Sequence, residues 1–276
     1  SFSVDLASKF QGSHKSSLTF APEAGTERLR RVINKGVSDA DLLNAATAAF
    51  KAGWQKLKLY FMIGLPTETQ SDLEGIVRLA GEVIKIGKQI VSKGNALRVT
   101  VSISTFVPKA HTPFQWRRQI SAAETIEKQQ FLQEQLRGRH LEMSWHNPYM
   151  SQLEGIMSRG DRRLGRAIYN AWRNGAQFDA WGDQFKYELW QDVFRDMGLD
   201  PGFYTRERET GEILPWAHID SGIDPEFLAA EDRRANEETL TADCRNNACA
   251  NCGVCPGLQV APKILDKHSP EVEKHG

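Results

Sequence analysis

The sequence has no long apolar run, no surplus of either charge and no cysteine before position 244, and each absence removes a class of protein. Without about 18 consecutive apolar residues no helix crosses a bilayer, and the opening Ser1-Phe2-Ser3-Val4-Asp5 lacks the charged-then-apolar order of a secretion signal. The chain therefore reads as cytoplasmic, with no membrane partner. Acidic and basic side chains balance at 35 each, so no global field draws in a polyanion, although a local basic patch stays open. The four cysteines fall between Cys244 and Cys255, a spacing suited to a metal or cluster and unsuited to stapling a fold. Low-complexity repeats and the Rossmann glycine pattern are missing too, so nothing supports a nicotinamide site.

What is present is a rhythm. Apolar strands near 17–21, 57–63, 97–105 and 140–145 alternate with helical patterns, which predicts an α/β fold with parallel strands covered by helices. Phe2, Val4 and Leu6 read as the tail of an earlier strand. Thr26 caps a first helix that carries Leu29, Val32 and Ile33 and stops at Gly36. Ser38 with Asp41 and Ser121 with Glu124 form capping boxes for two more, and Glu68 opens the helix that carries Leu73 to Ile84. Beyond 150 the rhythm ends. Helices are expected at 149–158, 161–174, 183–197 and 225–238, with a loop over 205–222. Four segments follow: 1–148 with the parallel sheet, a helical module over 149–240, a four-cysteine site over 241–260 and a polar tail over 261–276.

The strand that ends at Pro22-Glu23 holds a carboxylate at its carboxyl end, where βα sheets and barrels place their ligands. The segment Pro22-Glu23-Ala24-Gly25-Thr26, with Val32-Ile33-Asn34-Lys35 behind it, resembles the fourth-strand segment of radical S-adenosylmethionine (SAM) enzymes, the branch with methylthiotransferases and cobalamin-associated proteins. Tyr60-Phe61-Met62-Ile63-Gly64-Leu65-Pro66-Thr67-Glu68-Thr69 and Ser104-Thr105-Phe106-Val107-Pro108-Lys109-Ala110-His111-Thr112-Pro113-Phe114 follow in the family's order. The resemblance covers residues 15 to about 148. It implies half of a TIM-type βα barrel, the C-terminal half, completed by an upstream half that carries the Cys-x3-Cys-x2-Cys triad for the [4Fe–4S] cluster. It also implies SAM as cofactor, cobalamin in the full-length protein, and RNA modification as the reaction class.

Carried over residue by residue, the resemblance gives Glu23 to the ribose hydroxyls and Lys35 to the methionyl carboxylate. It sets the backbone of Met62, Ile63 and Gly64, together with Phe106, Val107 and Pro108, beside adenine. Lys109, His111 and His146 are candidates for substrate contact. Arg162 and Arg163, with Trp172, Trp181, Phe185, Tyr187 and Trp190 behind them, are candidates for RNA. Cys244, Cys249, Cys252 and Cys255 suit either an iron–sulfur cluster or a tetrahedral zinc, and the spacing leaves both open. Two further expectations follow: the chain alone is inert, and an exposed sheet edge invites self-association. The rival reading is a non-catalytic RNA- or protein-binding module on a structural zinc.

Overall fold

The computed structural model describes residues 17–91, 96–245 and 247–260. The expected early strand at Phe2 to Leu6 and the polar tail from 261 lie outside the described residues. Four parallel strands, β1 (Leu18–Glu23), β2 (Lys56–Ile63), β3 (Arg98–Thr105) and β4 (Leu141–Trp145), stand in the order β1-β2-β3-β4. Helices α1 (Glu27–Val32) and α2 (Asp39–Lys51) join β1 to β2, α3 (Gln70–Ile90) joins β2 to β3, and a 3-10 turn (Pro113–Trp116) with α4 (Ala122–Gln135) leads to β4. The fold is therefore α/β, and its strand order never reverses as it does in a doubly wound sheet.

The alternation within β2 explains how the sheet is used. Leu57, Leu59, Phe61 and Ile63 are fully buried, in register with Val99, Val101 and Ile103 of β3, and they meet the apolar faces of α2, α3 and α4. The opposite face carries Lys58, Tyr60, Thr100, Ser102, Glu142 and Ser144 in matching register. Those groups pair among themselves: Arg98 with Glu142 at 2.8 Å, the Ser144 hydroxyl with that of Ser102 at 3.3 Å, and the Lys58 ammonium 4.9 Å from the Tyr60 ring centre. Parallel sheets usually carry near-continuous apolar strands buried on both faces, so one polar face is a departure.

The second half has its own core. Helices α5 (Pro148–Arg159), α6 (Arg163–Arg173), α7 (Tyr187–Asp196) and α8 (Pro201–Thr205) pack Leu153, Ile156, Leu164, Trp190, Phe194 and Tyr204 together. Helix α9 (Pro225–Asn236) then returns to the front: Ala235 joins an apolar cluster with Leu29 of α1, and Arg117 grips Asp232 through two bonds of 2.7 and 2.8 Å. A short α10 (Val254–Leu258) follows. The helices from Pro148 to Thr205 thus share an apolar cluster of their own, while α9 packs on elements from before residue 148.

Two capping boxes occur as expected, Ser38 with Asp41 and Ser121 with Glu124. Two other expectations are corrected. Helix α1 ends at Val32 and its left-handed exit is Asn34 (φ 52°), not Gly36. Helix α3 is capped by Thr69, whose box partner is Asp72, while Glu68 precedes the helix and bends back to accept the Gly64 N–H at 3.0 Å.

Asp72 also fastens α1 to α3. Its buried carboxylate accepts from the Thr26 hydroxyl, from the Thr69 N–H and hydroxyl at 2.8 Å each, and from the Arg28 guanidinium at 2.5 Å. Beside it Gly25 lies so near α3 that an added Cβ would stand 2.1 Å from the Asp72 carbonyl oxygen. Burial alone would raise the Asp72 carboxyl, but the hydrogen bonds from Thr26, Thr69 and Arg28 outweigh it and hold the group below the ordinary carboxylate value. The stability it contributes is therefore complete above the unfolded-state value of about 4 and is lost as pH falls through the lower folded value. Asp72→Ala should cost about 3 kcal/mol, because it removes the acceptor shared by two hydroxyls, a backbone N–H and Arg28, which keeps only Glu238 and Thr67. Urea unfolding across the acid range checks both points, and Asp72→Asn should flatten the pH dependence.

Candidate functional site

The carboxyl ends of β1, β2 and β3 converge. The register of β1 breaks between Phe20 and Glu23, and Glu23 takes a left-handed backbone (φ 69°) that a residue with a Cβ rarely adopts. After α1, the turn through Asn34 is closed by the Lys35 N–H, which donates to the Arg30 carbonyl at 2.8 Å. That turn brings the Lys35 ammonium within 3.4 Å of the Glu23 carboxylate. Both side chains are partly exposed, so the pair itself contributes little to stability.

Met62, half-buried, closes β2 beside the buried Ile63, and Gly64 turns the chain with φ 79°. A Cβ on Gly64 would meet Ile120 at 2.6 Å, so the turn requires glycine on two counts. At the end of β3 the Phe106 N–H donates to the Ile63 carbonyl at 2.8 Å, and the Phe106 ring meets Phe114 edge to face at 5.8 Å. Val107 and Pro108 are buried. Ala24, Leu29, Val32 and Leu65, with Met62, Phe106 and Phe114 packed on them, form one apolar cluster under the three strand ends.

Glu68, a residue whose reach the sequence did not disclose, braces this corner. Besides the Gly64 N–H it holds the Lys128 ammonium at 2.9 Å, and burial pushes its carboxyl up against the pull of Lys128. The cavity of about 220 Å³ behind the turn is lined by charges that neutralise one another, Glu68 with Lys128 and Glu124 with Arg118 at 2.7 Å.

The remaining candidates do not gather there. Lys109 reaches α5, where it binds Glu154 at 2.5 Å and the Ser158 hydroxyl at 3.1 Å. His111 (φ 56°) donates its N–H to Gln115 and borders a cavity of about 370 Å³ with Trp116 and Trp216. His146 is exposed and borders a different cavity of about 660 Å³, between β4 and α5, with Trp145, Met150 and Phe185. Glu154 lines that same cavity, so Lys109 and His146 meet at one place and His111 lies at another.

Arg163 is neutralised by Asp161 at 2.6 Å and lies 5.7 Å from the Phe203 ring centre, whereas Arg162 is exposed. Of the aromatics, Trp190 is core, Phe185 and Tyr187 are half-buried, and Trp172 and Trp181 are exposed.

The cysteine segment has one feature that suits a thiolate. In the turn Cys249-Ala250-Asn251-Cys252, Asn251 is left-handed (φ 57°) and donates its N–H to the Cys249 sulfur at 3.3 Å. Among the described residues no group of three or more His, Cys, Asp or Glu is placed to hold a metal ion. The four thiols therefore do not form one ligand set as they stand. The same residues contain no helix long and apolar enough to cross a membrane.

The strain at Glu23 gives a test of its own. Glu23→Gly should be more stable than Glu23→Ala by about 1 kcal/mol, since both lose the Lys35 pair but only glycine relaxes at positive φ. Paired chemical denaturation curves measure the difference, and equal midpoints would count against a strained tip.

No protein-family model matches the chain. Over 153 residues, 55% of its length, it is 33% identical to an uncharacterized protein of Methanocaldococcus jannaschii, MJ0966. The match covers 32% of that protein, so the chain spans about a third of the length of the curated relative it matches.

Proposed function

We propose that this chain contributes the SAM-binding strand ends of a radical SAM-type enzyme. The four sequential parallel strands, covered by helices on the apolar face and polar on the other, would be one half of a βα barrel whose remaining strands belong to the upstream part of the protein. Glu23 accepts the ribose hydroxyls, Lys35 neutralises the methionyl carboxylate, and the main chain at Met62 to Gly64 and at Phe106 to Pro108 flanks adenine.

The single observation that carries this reading is the meeting of Glu23 and Lys35, twelve residues apart in sequence, at 3.4 Å beside the clustered tips of β2 and β3. An ammonium and a carboxylate a helix apart suit a ligand that offers hydroxyl donors at one end and an anion at the other. The [4Fe–4S] cluster of such an enzyme supplies one-electron chemistry on the SAM sulfonium, and its triad is assigned to upstream cysteines. This chain's share is to bind, orient and shield the nucleoside. RNA is the proposed substrate by analogy with methylthiotransferases. Cobalamin belongs to the full-length protein in this reading.

Titrating SAM or S-adenosylhomocysteine into the methyl-labelled chain tests it. Methyl resonances of Met62 and Val107 should move, and Glu23→Gln or Lys35→Met should weaken the response about tenfold, the loss expected for a charge-assisted contact. Movement confined to other methyls, or none, would overturn the assignment. With a reductant and SAM, the chain alone should release no 5′-deoxyadenosine.

Cys244, Cys249, Cys252 and Cys255 are proposed to close on an iron–sulfur cluster or a zinc ion, supported by the Asn251 N–H at the Cys249 sulfur. No step of the SAM reading passes through them. Anaerobic purification followed by metal and sulfide analysis should find iron with sulfide, or one zinc. A chain holding neither, with four freely titrating thiols, would refute the site.

A further inference from the structure

Helix α6 turns Leu164, Ala167 and Ala171 into the core of the second half. Its opposite face, with the residue before it, carries Arg162, Arg166, Tyr169 and Arg173, spaced so that all four fall on one stripe about 60° wide. Trp172, 58% exposed, flanks the stripe, and its ring centre lies 5.8 Å from that of Tyr169. Tyr169 is itself 51% exposed. Large aromatic rings held in water beside one another mark an interaction surface more often than chance exposure.

The charges on this face are unpaired. Arg163 is held by Asp161, but the side chains of Arg162, Arg166 and Arg173 have no ion pair or hydrogen bond among the described residues, and α6 contains no acidic residue. In a chain whose acids and bases balance, that is a concentrated local excess. Helix stability does not account for it, because Arg162 and Arg166 sit at the amino end, where the helix dipole disfavours cations. A cavity of about 400 Å³ opens beside the stripe, lined by Tyr169, Asn170, Arg173 and Asn174 from the α6 side and by Val193 and Asp196 from α7.

We propose that this face of α6 binds single-stranded RNA. The three arginines meet successive phosphates, Tyr169 and Trp172 stack on unpaired bases, and the Asn170 and Asn174 amides with the Asp196 carboxylate meet sugar and base edges. The Asp196 carboxylate, held only by a long, exposed contact of 3.7 Å to Arg195, is the reason for RNA over DNA, since it accepts from a 2′-hydroxyl that DNA lacks. This deepens the substrate side of the proposed function and rests on that reading only in naming RNA; the surface itself is argued from α6.

Fluorescence anisotropy with a labelled mixed-sequence single-stranded RNA, without SAM, is the test. The triple variant Arg162→Ala, Arg166→Ala, Arg173→Ala should lose at least tenfold in affinity and flatten the salt slope by about two, at roughly 0.7 per phosphate contact. Trp172→Ala should lose about tenfold through stacking. The triple variant should unfold within about 0.5 kcal/mol of the parent in urea, since Arg162 and Arg166 leave the unfavourable amino end of the helix and Arg173 the favourable carboxyl end. Arg78→Ala, which removes an ion-paired arginine elsewhere, should leave binding unchanged. An equal loss in Arg78→Ala, equal affinity for the matching DNA, or no RNA binding by the parent chain would each overturn the proposal. RNA binding without a SAM response sinks the strand-end reading alone, and the reverse result sinks this one alone.

Discussion

One buried carboxylate sets the geometry on which the strand-end site depends. Asp72 gathers donors from the turn before α1 and from the cap of α3, while Gly25 and Gly75 let the two backbones approach more closely than any side chain would permit. Arg30 works on the same turn from the other side, buried, bonded to the Ala24 carbonyl at 2.8 Å and paired with Asp39. With the turn clamped at both ends, the chain between Pro22 and Thr26 has little freedom, and Glu23 stays in a conformation it would otherwise leave. In the proposed reading such a residue holds its binding conformation before the ligand arrives, so the ordering entropy is met during folding and does not weaken binding.

The sheet poses the complementary problem. Its apolar face is closed by α2, α3 and α4, whereas its polar face satisfies itself with serines, threonines and one Arg98–Glu142 pair. β1 and β4 each have one strand partner among the described residues. A two-layer globule could use a polar face as plain surface, yet parallel strands with a polar inner row are also what a ligand-lined barrel interior requires. The proposed function takes the second use, with the charged pair and main-chain turns of β1 to β3 at the carboxyl end, where βα folds keep their chemistry.

Much of this was legible beforehand, for reasons that differ by residue. Strand alternation in Leu57 to Ile63 and the boxes at Ser38 and Ser121 are local signals, and local signals survive folding. Glu23 and Lys35 were named through the family resemblance as contacts for two ends of one ligand, and their mutual ion pair came only with the fold. Asp72 was not, since its partners Thr26 and Arg28 lie more than 40 positions away and only packing brings them together. Glu68 was misread for the same reason: its dipole-friendly position gave a sufficient local account, while the Gly64 N–H and Lys128 gave the actual one. Lys109, His111 and His146 look neighbourly along strand ends, but His111, at a left-handed turn, borders a different cavity, while Glu154 draws Lys109 to the one that His146 borders.

The run Arg159-Gly160-Asp161-Arg162-Arg163 shows why a basic cluster in sequence is not yet a basic patch. Arg159 is fully buried and spends its guanidinium on the carbonyls of Tyr204, Arg206 and Arg117; burial, and then repulsion from Arg208 and Arg206, lowers it to about 10. Arg163 is occupied by Asp161. Only Arg162 remains free, and it finds its company further along α6, in Arg166 and Arg173. A guanidinium satisfied by carbonyls has no donors left for a phosphate, and one facing a carboxylate must break that pair first. In the proposed reading the affinity of this surface for a polyanion is therefore set by the arginines that nothing in the fold employs, and their place on one face of α6, at intervals of one turn and then two, more than the dense run that first draws the eye, decides where a nucleic acid lies.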